Sequence, residues 1–341
     1  MESAQNSLDQ TARREYPAVD IIKFVCALLV VTIHIAPFTS FSGTLAENLN
    51  HDIVLYWAQI AVPFFFSASG FFLFGKIDPQ QVDYSVFKKF VFKNLRLWGL
   101  WSIALVMGLT GHLWFMKSLA FSAILLALLF RLKASMKTMT ALAVVFYIVG
   151  LLGNTYSEVL APLQGNALFD KFAYAYKYLF PNAQNGLFMG FPFMLLGGWV
   201  RKNSAKISPI PALLGFLGSM LVFFQESRFL KRLGWPSAYS VYVFLPFVVY
   251  FLLAFATSVR IKSRPIYPKL RAVSIVIYFS HQLVLFGFRA VFYLIEYFSG
   301  ADYANSLLLC LLTLAASTAF GFALERLSRT KKLRFLRYLY S

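Results

Sequence analysis

Ten stretches of this sequence are apolar over nearly the length that a bilayer demands. A helix crossing the ~30 Å hydrocarbon core needs about 20 such residues. The windows fall at 18–38, 53–75, 94–110, 112–130, 138–153, 186–200, 209–226, 238–259, 272–297 and 303–324. In lipid a spanning helix satisfies its backbone polar groups within its own segment, so windows of this length predict an all-α polytopic membrane protein. Composition agrees. With 59% hydrophobic and 13% charged residues and a mean hydropathy of +0.65, the chain has too little charge to coat a water-soluble globule. Residues 1–17 are polar and the first apolar stretch is full length, which argues against a cleaved signal peptide. Cys26 and Cys310 both fall in apolar windows and read as small buried hydrophobes, not as a disulfide or a metal pair.

A net charge of +18 raises the question of nucleic acid. The placement of the charges answers it. With the N-terminus on the cytoplasmic side, 24 of the 32 Lys and Arg fall in the inner connections and tails, five in the outer ones and three within the windows. This is the bias of a membrane protein with both termini inside, and an even number of spans agrees with it. Basic runs such as Arg329-Thr330-Lys331-Lys332 read as anchors at an anionic leaflet, so no nucleic-acid partner is expected. The predicted organisation is a cytoplasmic segment 1–17, a ten-helix membrane domain 18–325 and a basic cytoplasmic tail 326–341. The longer polar and aromatic connection 154–185 lies outside the membrane core or re-enters it.

Ionisable residues inside spans are costly, which makes each one a functional candidate. Lys23 and His34 stand eleven residues apart on the first window. At ~1.5 Å and about 100° per residue, they share one helix face to within roughly 20° and differ in depth by about 16 Å. Asp20, one turn before Lys23, is placed to pair with it. Two readings stand for each residue. Lys23 is either a snorkelling lysine or the inner end of a polar path. His34 is either a buried interhelical hydrogen-bonding group or a general base, imidazole being the side chain that titrates nearest neutrality.

His112, Lys117, Asn185 and Arg289 join His34 in the outer half, and His281 lies near mid-depth. Such a cluster suits a hydroxylated acceptor, although His112 and Trp114 also fit an interfacial belt. On the inner side, Lys93 and Arg96 share a face at the start of the third window and are placed to hold phosphates. No Walker loop, GxGxxG turn, G-x-S-x-G elbow or metal-spaced His/Cys/Glu cluster occurs, so neither a metal nor a bound cofactor is expected.

These segments resemble the integral-membrane acyltransferase family 3, ten-span proteins that O-acylate cell-envelope glycans. That family's first span carries an arginine, ten residues, then a histidine; here the spacing reads Lys23 to His34. Four further stretches are similar to its segments: VPFFFSASGFFLF (62–74), HLWFMKSLAF (112–121), NGLFMGFPFMLLG (185–197) and IVIYFSHQLVLF (275–286). The family's basic pair at the third span corresponds to Lys93 and Arg96. The resemblance implies a multi-pass protein of the inner membrane that transfers an acyl group from acyl-CoA, as co-substrate, to an envelope glycan or its lipid-linked precursor. His34 would be catalytic, and Lys23, Lys93 and Arg96 would bind the donor. His112, Asn185, His281 and Arg289 would lie on the acceptor or oxyanion side. Where the family has arginine, Lys23 keeps the charge but loses the planar fork. Some relatives fuse the membrane part to an amino-acid racemase and are associated with serine transport, so a transporter of a small polar solute is the alternative.

Overall fold

The computed structural model describes residues 15–78, 81–104, 111–235, 240–299 and 305–341. Arg13, Arg14 and the end of the third window (105–110) lie outside them. Among the described residues there are helices and no strands. The principal helices are α1 (Pro17–Ile35), α2 (Thr44–Asp52), α3 (Ala61–Phe74), α4 (Tyr84–Ala104), α5 (Trp114–Arg131) and α6 (Met136–Leu152). They continue with α7 (Ala167–Leu179), α8 (Phe191–Asn203), α9 (Pro209–Arg232), α10 (Leu245–Ser258), α11 (Ile266–Ser299) and α12 (Ser306–Leu327).

Each of the ten windows holds a helix within its described residues, but the helices are uneven in length. Among the described residues, five helical segments are long and apolar enough to cross a bilayer: 17–35, 111–131, 209–232, 266–299 and 306–327. A sixth arises if α6 and the 3₁₀ turn Ser157–Leu163, bent by 75° from it, count as one span. The uneven lengths have local causes. α3 is preceded by a π turn at Ile53–Trp57 and a 3₁₀ turn at Ala58–Ile60, and α8 by a π turn at Gly186–Gly190. Pro17, Pro192, Pro209 and Pro246 sit in the first turns of α1, α8, α9 and α10, where the missing N–H costs nothing. Asn166 and Asn305 cap α7 and α12 through their side-chain oxygens.

The short helices pack closely. A Cβ on Gly70 of α3 would lie 1.9 Å from the carbonyl oxygen of Met194 on α8. One on Gly197 would lie 1.9 Å from that of Ser67. The two backbones therefore touch, as small residues allow between helices in lipid. Phe64, Phe66, Phe71, Phe191 and Phe193 fill the core around this contact. α1 packs on α11 through Ala27, Val31 and Ile35 against Val273 and Ile277. In the 154–185 connection, α7 lies on the surface with no buried residue and keeps Leu168, Phe172 and Leu179 exposed. Cys26 and Cys310 are buried free thiols.

Candidate active site

Three of the four histidines converge. α1 supplies His34 from its last turn, just before Ala36 turns left-handed (φ 52°) and Pro37 follows. The 3₁₀ turn Gly111–Leu113 supplies His112, and the buried half of α11 supplies His281. Ring centroids are 5.0 Å apart for His34 and His281, 4.8 Å for His112 and His281, and 6.4 Å for His34 and His112.

The backbone orients two of these rings. His281 Nδ1 lies 2.8 Å from the Tyr278 carbonyl and 3.1 Å from that of Ile277. His112 Nε2 lies 3.2 Å from the Phe279 carbonyl. Carbonyls only accept, so both nitrogens are N–H donors. The Tyr278 hydroxyl in turn donates to the His112 carbonyl. His34 is half-buried and its ring is not pinned in this way. Among the described residues no group of His, Cys, Asp or Glu is arranged to hold a metal ion. The fourth histidine, His51, lies apart on α2 against Asp52. Burial holds its imidazole below the usual range, against the pull of that carboxylate.

At the other end of α1 a basic cavity opens in two lobes. One, of about 570 Å³, is lined by Lys23, Lys76, Lys89, Lys93 and Arg271. The second, of about 640 Å³, shares four of these and adds Arg201. The first lobe ends against Phe115, Tyr278 and Phe279. Tyr278 and Phe279 also carry the hydrogen bonds that hold His112. Cationic cavity and imidazole cluster therefore share Tyr278 and Phe279 as an aromatic wall. α1 and α11 run through both: Lys23 and Arg271 lie at one end, and His34 and His281 lie eleven and ten residues further on.

The placement revises several expectations. Asp20 pairs with Arg271 and not with Lys23. Both carboxylate oxygens accept from the guanidinium at 2.7 Å, with Asp20 only 2% exposed. Lys23 stands over the Phe72 ring at 5.0 Å. Lys93 and Arg96 part company: Lys93 lines both lobes, whereas Arg96 lies over Tyr338 and donates to the Ser341 carbonyl. Asn185 caps the turn before α8. Its oxygen accepts from Leu187 and Phe188 N–H at 2.8 and 2.9 Å, and its amide donates to the Asn182 carbonyl. That leaves its side chain committed to backbone. Lys117 stands over Trp98 at 5.6 Å. Arg289 is exposed on α11, eight residues beyond His281.

Lys76, Lys89, Arg201 and Arg271 were not singled out in the sequence, where they count as ordinary inner-side charges. One signal was there to find: Lys89 and Lys93 are four apart and share a helix face, as the cavity requires.

Comparison with known proteins agrees with the resemblance. Residues 16–109 match the family model described as an acyltransferase domain, that of acyltransferase family 3. The matched stretch holds Lys23, His34, Lys93 and Arg96. A serine/alanine racemase of Enterococcus gallinarum is 29% identical over 260 residues, 69% of this chain and 36% of that protein. An amino-acid racemase of Enterococcus faecalis is 26% identical over 299 residues, 78% of this chain and 40% of that protein. The chain thus spans well under half the length of these curated relatives. No solved structure matches it.

Proposed function

From the acyltransferase-family match over residues 16–109, we propose that this protein is an integral-membrane O-acyltransferase. It moves an acyl group, acetyl in the simplest case, from cytoplasmic acyl-CoA to a hydroxyl of an envelope glycan or its lipid-linked precursor. The observation that carries the reading is that a cavity lined by six cations and a cluster of three histidines meet at Tyr278 and Phe279. The site lies in the inner membrane, in a bundle of ten spans with both termini cytoplasmic. The 24-to-5 distribution of Lys and Arg supports that orientation.

The donor's phosphates sit among Lys23, Lys76, Lys89, Lys93, Arg201 and Arg271, where several cations share an anionic load without bidentate geometry. Its thioester arm passes the wall of Phe115 and Tyr278 to reach His34. The acceptor arrives from the other side. His34 takes the proton of the acceptor hydroxyl as its oxygen attacks the thioester carbonyl, and Arg289 stabilises the oxyanion that forms. When the carbon–sulfur bond breaks, the same proton passes to the leaving thiolate and His34 returns to neutral. The ~16 Å between Lys23 and His34 suits chemistry carried across the bilayer.

The test is the mass of envelope glycans from cells with and without the protein. A gain of acetyl or succinyl mass is expected; glycans of identical mass contradict the reading. The racemase names of the relatives keep one alternative in view, a transporter of serine or a similar small solute. Serine counterflow in proteoliposomes without consumption of acetyl-CoA would favour it.

A further inference from the structure

The proton on His281 Nδ1 has a consequence for the opposite side of its ring. A neutral imidazole has one N–H, so with Nδ1–H turned onto Ile277 and Tyr278, Nε2 is a bare lone pair. That nitrogen is buried, in a residue 0% exposed, and has no hydrogen-bond partner among the described residues. A buried acceptor left empty carries the full penalty of its lost hydration. Two rings are within reach. His112 gives its Nε2–H to the Phe279 carbonyl and as a neutral ring has no second N–H to offer. His34, at 5.0 Å, has no hydrogen bond to any described residue.

We propose that His281 is the positioning partner of His34: its Nε2 accepts the His34 N–H and leaves the opposite nitrogen of His34 free to act as base. A centroid separation of 5.0 Å is about what an edge-on N–H···N bond between two imidazoles needs. The inference rests on His34 being the base. It also moves His281 off the oxyanion side, because a neutral His281 has no N–H left to donate. During transfer His34 gains the hydroxyl proton and passes it to the thiolate, while His281 holds the His34 N–H and exchanges no proton.

The test uses the full chain with ¹⁵N-labelled histidine in lipid nanodiscs, with acetyl-CoA as the donor probe and water as the acceptor hydroxyl, so that the rate read is hydrolysis to acetate and CoA. In the wild type, His34 shows one protonated and one bare ring nitrogen. In His281→Leu the two signals move towards each other as the tautomers mix. In His281→Gln the amide oxygen accepts in place of Nε2 and restores the split. The rate follows: His281→Leu lowers kcat about 10²-fold or more with KM little changed, and His281→Gln recovers to within about tenfold of wild type. Should the leucine variant not fold, His34→Ala reads the same bond from the other side, through a moved His281 Nε2 signal. An unchanged His34 tautomer in folded His281→Leu, or an unmoved His281 signal in His34→Ala, overturns the proposal. The two claims separate cleanly. If His34→Ala still transfers, the base assignment fails; if it is inactive while His281→Leu keeps the wild-type kcat and tautomer, this inference alone fails.

Discussion

Lys93 and Arg96 are three residues apart on one helix and do different work. Lys93 faces the basic cavity, so Lys93→Gln should raise KM for acetyl-CoA about tenfold or more, the scale of one lost charge-assisted hydrogen bond. Arg96 holds Tyr338 and the Ser341 carbonyl, so Arg96→Gln should leave KM unchanged and lower thermal stability in detergent. Asn185 offers a second contrast. As a cap, Asn185→Ala should cost about 1 kcal/mol of stability and leave kcat near wild type. Measured together, these variants separate binding of the donor from support of the fold. Lys23 stands between the two cases. Its ammonium shares the cavity with Arg271, whose planar fork is committed to Asp20.

At the scale of helices, the contact of α3 with α8 is the least forgiving. Backbone carbonyls fill the space a side chain would need at Gly70 and Gly197, and a carbonyl cannot swing aside as a side chain end can. Gly70→Ala should therefore destabilise by about 1–3 kcal/mol, readable as a lower unfolding temperature, while a mutation on the exposed face of α7 such as Phe172→Ala should not. The positions of the helices were legible in the sequence because apolar windows report burial in lipid directly. Their lengths were not, because the π and 3₁₀ turns before α3 and α8 leave no hydropathy signature. The depths of Lys23 and His34 followed from the rise of one helix. That His34 meets His112 and His281, and that Asp20 prefers Arg271 to Lys23, did not. Spacing rules describe one helix at a time, and these are contacts between elements brought together by packing. Asn185 shows a related limit: an Asn before Gly-Leu-Phe reads equally as a polar ligand or as a cap, and the structure shows its side chain capping a π turn.

Across the whole molecule, the account requires a donor side and an acceptor side. On the proposed ten spans and cytoplasmic termini, a cysteine placed at Arg337 should react with an impermeant reagent from the cytoplasmic face, and one at Tyr178 from the outer face. The opposite pattern would invert the assignment of donor and acceptor. The central claim joins the basic cavity to the histidines in a single reaction, and the most direct measurement of it is sided. Protein is reconstituted in one orientation in proteoliposomes, radiolabelled acetyl-CoA is offered to one face or the other with water as the acceptor hydroxyl, and hydrolytic release of CoA and acetate is followed in wild type and His34→Ala. The account predicts release when acetyl-CoA meets the face bearing Lys76, Lys89 and Lys93, none from the other face, and a loss of about 10²-fold or more in His34→Ala. Release at the wild-type rate by His34→Ala, or from the histidine side alone, would contradict it.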